Sequence, residues 1–518
     1  MIIGSISSDG HDPNMCIYNS NTNSLHHIEE ERISRIKHGS INKKDIFYEK
    51  FNYDKQGIIV HYLYEKYKTK IEALNKVNLN LSDNISINDT YYLFHHTAHA
   101  AYTYYTRPLN MEDTDILSYD GWGSFTDKMF FHNEKLIDSN IFGLGMLWNT
   151  ISYFFFSNIN YAGKLMGLSA YGKLNLNLYE KFFAFIEKML QLDNTNDYNF
   201  LNIKATKQKV VRDLFKNILN DTITKNNIHP EDICFTLQKF SEDYVLKYLK
   251  IMRQSNNLCL AGGSALNGYI NNLIIKNKIY KNIHIGPATG DSGLSIGAVL
   301  FIANKFKNTR IHNAQYIGNS LVVNENIFKD LKIKNIQQVQ YDKLYDIISD
   351  YIINGKIVGW MQGRSESGPR ALGNRSILCD PRDPNMKDYL NRQVKHRENF
   401  RPFAPSIMEE YVEDWFENIQ ESKYMLKIAK YKEGMGERVP VVCHIDYTGR
   451  IQTVSEMDNK HIYNLIKAFY KKTGIPILLN TSFNDNEEPI VDSIEDAINT
   501  FNKTGIDILV LKNYIIEK

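Results

Sequence analysis

Short β-rich runs and helix-period stripes alternate along this chain, which predicts an α/β protein. MIIGSIS and MCIYN flank the polar turn SSDGHDPN and read as a hairpin. Residues 41–90 are polar and charged and predict an insertion. YYLFHHTAHAAYTYY follows, then DILSYDGWGSFTDKMFFHN, which reads as strand, Asp-Gly turn and strand. Leu237, Phe240, Tyr244, Tyr248 and Ile251 recur at helical spacing and lead into NLCLAGGSALNGYINN, a buried strand, glycine turn and helix. That is the crossover unit of an α/β fold. The pattern weakens from about Asn308 to Asn335, and a domain boundary there gives domains over 1–325 and 336–518. The second domain opens with the stripe Leu344, Ile347, Ile348, Tyr351 and Ile352, closes it with Gly355 as a cap, and enters the strand KIVGWM. Ser493 and Asp496 have capping-box spacing ahead of Ala497, Ile498 and Phe501, and the strand IDILVL follows.

Composition then removes several classes. Lys+Arg at 61 against Asp+Glu at 59 leaves a net charge of +2, so no global field draws the chain to nucleic acid or a membrane. Any anion site is therefore local. Five scattered cysteines without a CxxC pair argue against a disulfide framework or a cysteine zinc site. The N-terminus has no basic segment followed by an apolar one, and no apolar run reaches the ~18 residues that span a bilayer. The expectation is a cytoplasmic protein.

His95 and His99 are four apart, so a helix projects both imidazoles from one face, as a shared metal ion requires. Taken alone, such a pair is better explained by packing or capping. Two Asp-Gly turns, Asp120 in SYDGWGS and Asp291 in ATGDSG, supply carboxylates where strands end. Two histidines and two carboxylates suit Fe(II), Mn(II) or Zn(II). Gly121, Gly123, Gly262, Gly263 and Gly290 allow close backbone approach to phosphate, or simply make tight turns. Lys164, in GKLMGLSAYG, is a flexible point charge for a phosphate or an ordinary surface lysine. Residues 364–401 carry seven arginines and two lysines against five acids, interleaved with Gly, Pro, Phe and strand residues. That favours a walled pocket for a small anion over a solvated basic face. Tyr102, Tyr104, Tyr105, Trp122, Trp148 and Tyr153 are core, or an aromatic wall for an acceptor.

Taken in order, HHTAHAA, SYDGWG, GKLMGLSAYG, LAGGSALN, PATGDSG, GRSESGPRALGNRSI, NFRPFAPS, HIDYTGRIQTV and TGIPILLNTSFN resemble the O-carbamoyltransferases of the NodU/CmcH type over nearly the whole chain. The resemblance implies an N-terminal domain of the actin-like ATPase and sugar-kinase (ribonuclease H-like) fold, followed by a YrdC-like α/β domain. It implies that ATP and carbamoyl phosphate yield carbamoyl adenylate, whose carbamoyl group passes to a hydroxyl of a small-molecule acceptor. It makes His95, His99, Asp120 and Asp291 metal ligands, with Fe(II) the family expectation and Mg(II) accompanying ATP. Gly121, Gly123, Lys164, Gly262, Gly263 and Asn267 would face the nucleotide. His11 and Asp12 would face the acceptor, with His11 or Asp9 as the general base. Arg370, Arg375, Lys395, Arg397 and Arg401 would hold carbamoyl phosphate and the ATP phosphates, with Ser406, Arg450, Asn480 and Ser482 as further candidates. The chain departs from the pattern at Ser367, where an aromatic residue often precedes Gly-Pro-Arg. A homodimer is the family expectation. The alternatives are a threonylcarbamoyl-tRNA-type modification enzyme, which would favour a basic face, and a non-catalytic ATP-binding module.

Overall fold

The computed structural model describes residues 2–7, 12–38, 58–62, 85–87, 90–121, 123, 126–193, 219–324, 326, 328, 335–419 and 421–518. Among them, 2–7, 16–24 and 58–312 group into one compact unit, and 12–15, 25–38 and 313–518 into a second.

The α/β expectation holds: three sheets alternate with helices along the chain. The first has the order β3-β2-β1-β4-β6-β5, from β1 (Ile2–Ser7), β2 (Asn14–Asn19), β3 (Ser24–Glu29), β4 (Ile58–Tyr62), β5 (Ile85–Ile87) and β6 (Thr90–Leu93). β4 corrects the sequence reading, which placed an insertion over 41–90. IIVHY instead joins the sheet, parallel to β1 with Ile3 opposite Ile58 and parallel to β6.

The second sheet, β11-β10-β7-β8-β9, comprises β7 (Asp115–Tyr119), β8 (Lys128–His132), β9 (Lys135–Asp138), β10 (Asn257–Ala261) and β11 (Asn282–Ile285). β7, β10 and β11 are parallel, and β8 runs antiparallel to β7 with Asp115 opposite His132. β7 is buried along its length, as DILSY suggests for a central strand. Two helices matter for the site, α1 (His95–Tyr105) and α2 (Leu294–Phe306). They touch backbone to backbone, since a Cβ on Gly297 would lie 1.9 Å from the Ala98 carbonyl oxygen. The long helix Pro230–Met252 buries Leu237, Phe240 and Val245, whereas Ile251, expected in its apolar stripe, is 72% exposed at the helix end.

The C-terminal sheet has nine strands, β12-β20-β19-β13-β14-β18-β15-β17-β16. They are β12 (Ile336–Gln338), β13 (Val358–Met361), β14 (Arg375–Cys379), β15 (Ala404–Met408), β16 (Lys427–Lys430), β17 (Thr448–Val454), β18 (Ile477–Ser482), β19 (Ile508–Leu511) and β20 (Tyr514–Glu517). The helix Tyr341–Ile353 buries Leu344, Ile348 and Ile352 against this sheet's core. Both halves of the capping box at Ser493 and Asp496 form at the start of Ile494–Lys503. No disulfide joins any of the five cysteines. Among the described residues, no helix is long and apolar enough to cross a membrane.

Candidate active site

β6 ends at Leu93, Phe94 is the N-cap and α1 begins directly at His95, so His95 and His99 emerge one above the other on successive turns of one face. Asp120 follows β7, and Asp291 opens the short turn between β11 and α2. All four side chains thus stand beyond the carboxyl ends of strands, where α/β sheets place ligands. One ligand atom from each lies within 4.8 Å of the others. The two Nε2 atoms are 3.1 Å apart. His99 Nε2 is 3.3 Å from Asp120 Oδ2 and 3.4 Å from Asp291 Oδ1, and His95 Nε2 is 3.6 Å from each. A tetrahedral ion with bonds of ~2.0–2.2 Å has ligand–ligand edges of about 3.3–3.6 Å, so the donors fit a divalent metal.

The turns around Asp120 explain the glycines. The Gly121 N–H donates to Asp120 Oδ1 at 2.6 Å and the Gly263 N–H donates to Oδ2 at 2.7 Å, fixing the carboxylate from both sides. A Cβ on Gly263 would stand 2.9 Å from Oδ1, and one on Gly123 would stand 2.6 Å from the His96 ring. Gly262 has φ +92°, and a Cβ there would lie 2.1 Å from the Tyr119 carbonyl oxygen. Gly262→Ala is expected to cost more than about 2 kcal/mol, combining left-handed strain with a backbone clash, read as a lower urea midpoint.

Electrostatics match the geometry. Burial opposes charge on His99, but hydrogen bonds and charge from Asp120 and Asp291 outweigh it and push its pKa up to about 9. Burial likewise resists an ionised Asp120, yet His95 and His99 hold it well below the carboxylate range. His96 differs from its neighbours: its Nδ1 meets Ser118 Oγ at 2.8 Å and its Nε2 meets the Thr126 carbonyl at 3.0 Å. Burial and the adjacent His95 and His99 push its pKa well down, which makes it a neutral core histidine.

The remaining N-terminal candidates are placed as follows. Asn267 caps the helix Gly268–Lys276 through Ile270 N and exchanges amide hydrogen bonds with Gln238 at 2.9 and 3.2 Å. The Lys164 ammonium lies 3.7 Å from the centre of the Tyr161 ring. Asp12 Oδ1 is 2.7 Å from His38 Nδ1, and both lie within reach of Glu31. His11, Asp9 and Trp122 lie outside the described residues. Tyr102, Tyr104 and Tyr105 are core, Trp148 donates its indole N–H to Ser241, and Tyr153 is exposed.

The C-terminal arginines divide into two kinds. Arg375 is fully buried, and its guanidinium donates to the carbonyls of Gln362 (2.7 Å), Asn374 (2.9 Å) and Asn319 (3.3 Å). So engaged, it anchors the loop. Arg375→Ala would strand those carbonyls and is expected to lower stability by about 2–4 kcal/mol in urea unfolding.

Arg370, Arg397 and Arg450 are the other kind. Arg370 Nε, Arg397 Nη2 and Arg450 Nε are buried and have no hydrogen-bond partner; Arg375 Nε shares that state, but Arg375 commits both Nη1 and Nη2 to carbonyls. Burial pushes Arg370 down to about 10. It pushes Arg397 to about 9, with Arg401 adding to the effect. Arg450 is held well below its usual value by burial, then by Arg370 and Arg397. Arg450 thus stands close enough to Arg370 and Arg397 to feel their charge, and each of the three keeps a buried guanidinium donor without a partner. Arg401 pairs with Glu398 at 2.9 Å. Lys395 is buried, donating to the Ser482 and Asn484 carbonyls at 2.9 and 2.8 Å, and burial followed by Arg397 and Lys37 drives its pKa well down. Ser406 donates to Gln452 Oε1 at 2.5 Å, and the Asn480 amide donates to both Ser406 Oγ and Gln452 Oε1, a buried network across β15, β17 and β18. Ser482 Oγ bonds Asn484 Oδ1.

Two residues were missed by sequence reasoning. Glu366 Oε1 accepts from the backbone N–H groups of Leu372 (2.7 Å), Asn374 (2.8 Å) and Arg375 (3.2 Å), which shapes the loop presenting Arg370. Its signal was the single acid between Arg364 and Arg375. Lys37, in ERISRIKH, adds a further positive charge near Arg401 and Arg397. At the departure noted above, Ser367 Oγ bonds His27 Nδ1 at 2.7 Å.

The chain matches the carbamoyltransferase N-terminus family over residues 25–300 and the carbamoyltransferase C-terminus family over 349–518. The nodulation protein NolO of Bradyrhizobium diazoefficiens is 32% identical over 444 residues, covering 82% of this chain and 78% of that protein. An uncharacterized protein of Methanocaldococcus jannaschii is 33% identical over 452 residues, 82% of this chain and 83% of its own. The 3'-hydroxymethylcephem-O-carbamoyltransferase of Amycolatopsis lactamdurans is 28% identical over 359 residues, covering 68% of this chain and 64% of the relative. The chain belongs to the carbamoyltransferase family, whose members transfer a carbamoyl group to an acceptor. Among solved structures, the activator of 2-hydroxyisocaproyl-CoA dehydratase from Clostridium difficile with bound ADPNP aligns over 59% of this chain and 96% of its own, at TM-score 0.34 and 14% identity. HypF of T. kodakarensis aligns over 60% and 49%, at TM-score 0.29 and 12% identity.

Proposed function

We propose that the protein is an ATP-dependent O-carbamoyltransferase working in two stages, with its acceptor a hydroxyl-bearing small molecule. The observation that carries the first stage is the set of buried, unpartnered guanidinium donors on Arg370, Arg397 and Arg450. Like charges held together in a low-dielectric setting are costly, and a polyphosphate or carbamoyl phosphate relieves that cost by accepting their hydrogen bonds.

In the balanced scheme, water releases phosphate from carbamoyl phosphate to leave carbamate. A carbamate oxygen then attacks the α-phosphorus of ATP, and pyrophosphate departs. The arginines stabilise charge on the leaving phosphate and pyrophosphate oxygens. The YrdC-like assignment of the C-terminal residues rests on the GRSESGPRALGNRSI resemblance and on this pocket.

In the second stage an acceptor hydroxyl attacks the carbamoyl carbon of the adenylate and expels AMP. Its proton goes to a base, for which His11, Asp12 and Asp9 are the candidates. His95, His99, Asp120 and Asp291 would hold a divalent metal, Fe(II) by family resemblance, which when bound supplies Lewis-acid polarisation at an oxygen. The actin-like reading of the N-terminal residues, with nucleotide at the glycine turns and Mg(II) on the ATP phosphates, belongs to the same proposal.

Phosphorus NMR of the purified protein with ATP and carbamoyl phosphate, each alone and together, tests the first stage. AMP and pyrophosphate should appear only when both are present. ADP as the product, or no turnover by folded protein across a panel of hydroxyl acceptors, would overturn the reading.

A further inference from the structure

Arg370 stands in the loop 366–374, and that loop is held on both sides of it. Beyond Arg370, Glu366 grips the amides of Leu372, Asn374 and Arg375. Before it, the hold comes from residues 336–340 positions earlier in the chain. They lie in the segment 25–38, which packs into the same compact unit as the C-terminal sheet. The Ser367 N–H donates to the Gln315 carbonyl at 2.8 Å, and Ser367 Oγ bonds His27. At the next residue the Gly368 N–H donates to Glu29 Oε1 at 2.6 Å, and Arg32 Nη2 donates to the Gly368 carbonyl at 3.1 Å.

Those last two bonds act on different peptide planes. The Gly368 N–H belongs to the plane before its Cα and the carbonyl to the plane after it, and each plane is rigid. Holding both fixes φ and ψ of Gly368 together. The residue needs holding: it sits at φ +94°, where a glycine has neighbouring conformations open to it. Pro369 comes next, with φ set by its ring. One soft torsion, Pro369 ψ, therefore separates the clamp from the Arg370 Cα.

Arg32 is a poor anchor if anchoring is its whole task. It is buried, its Nε and Nη1 have no hydrogen-bond partner, and Glu29 and Glu31 oxygens stand 3.7 Å away. Burial opposes its charge, but Glu29, Glu31, Asp492 and Glu366 outweigh it. Arg35, three residues on, shows the ordinary pattern: two guanidinium bonds to the carbonyls of Ile490 and Pro489, and an ion pair with Asp496 at 3.3 Å. Arg32 directs its bond at the one residue whose torsions aim Arg370.

We propose that Glu29 and Arg32 are positioning residues for Arg370, setting where its guanidinium meets an anion by pinning the two peptide planes that flank Gly368. The inference rests on the anion-binding role proposed above for Arg370. Glu29 Oε1 is an acceptor whether the carboxyl is charged or neutral, so its part is to receive the Gly368 N–H.

The test is isothermal titration calorimetry of the full-length protein with pyrophosphate. Arg370→Ala should weaken binding at least tenfold, and Arg32→Met about fivefold. In the Arg370→Ala background, Arg32→Met should change affinity less than twofold, because the residue it acts through is gone. Arg35→Met removes the same charge from the same segment and should lower the melting temperature while leaving affinity unchanged. Glu29→Leu repeats the cycle if Arg32→Met does not fold, and Glu29→Gln, which keeps an acceptor, should restore affinity to within about twofold of the wild type. Equal losses from Arg32→Met with and without Arg370, a loss from Arg35→Met matching that from Arg32→Met, or wild-type affinity in Arg370→Ala would each overturn the proposal. So would a wild-type protein that binds no pyrophosphate. Turnover of ATP and carbamoyl phosphate is followed separately. Binding and coupling without turnover would uphold the clamp and remove the carbamoyl reading, and turnover without coupling would do the reverse.

Discussion

Arg450→Ala is expected to cut AMP and pyrophosphate formation from ATP and carbamoyl phosphate by at least about 100-fold, with the melting temperature unchanged or slightly raised. A residue that holds the fold loses stability when truncated; Arg450 should not. Its Nε is buried without a partner, and its neighbours Arg370 and Arg397 carry the same charge. Removing it relieves that repulsion. With substrate present the same deletion removes charge-assisted hydrogen bonds to phosphate oxygens, and losing one such donor typically costs about 2.7–4 kcal/mol of transition-state stabilisation. Activity and stability therefore move apart. Arg375→Ala is the matched contrast, because its carbonyl contacts make stability its principal readout. Calorimetric melting and the phosphorus NMR assay, run on both variants, decide the matter. Near-normal pyrophosphate release from Arg450→Ala, or a melting loss like that of Arg375→Ala, would remove Arg450 from the pocket.

That contrast marks how far the amino-acid pattern can be read. Both arginines sit on strands of the C-terminal sheet, Arg375 on β14 and Arg450 on β17, and nothing local separates a guanidinium spent on carbonyls from one held ready. The difference arises from the carbonyls of Gln362, Asn374 and Asn319 that meet Arg375, while Glu366 holds the adjoining loop through three backbone N–H groups. Local signals fared better. The Ser493–Asp496 box formed because both of its hydrogen bonds lie within one helical turn. His95 and His99 faced one ligand set because spacing of four fixes their direction, while His96 was turned by the same helix toward Ser118 and Thr126. β4 was missed because its apolar run is short and lies in a polar stretch. Its place depends on pairing with β1, more than fifty residues earlier. The glycine turns were legible as turns, but the engagement of the Gly121 and Gly263 amides by Asp120 was not.

His99→Ala should abolish tight retention of a divalent metal and block carbamoyl transfer by at least about 100-fold, while AMP and pyrophosphate formation stays within a few fold of normal. The ring is fully buried and supplies one corner of the four-donor cluster. Its loss leaves three donors and a void, with Asp120 still clamped by Gly121 and Gly263, so the carboxylate cannot swing to close the gap. Metal content by plasma emission spectroscopy after dialysis, the phosphorus NMR assay and product detection with an acceptor separate the two stages. His96→Asn is the control. It perturbs the same helix but removes no ligand, so stability should fall while metal content per folded molecule is kept. If His99→Ala retained metal, the cluster would be a buried charge network and not a metal centre. If it lost pyrophosphate formation as well, the metal would have to serve adenylation or the fold itself, and the division of labour between the His95–Asp291 centre and the arginine pocket would fall.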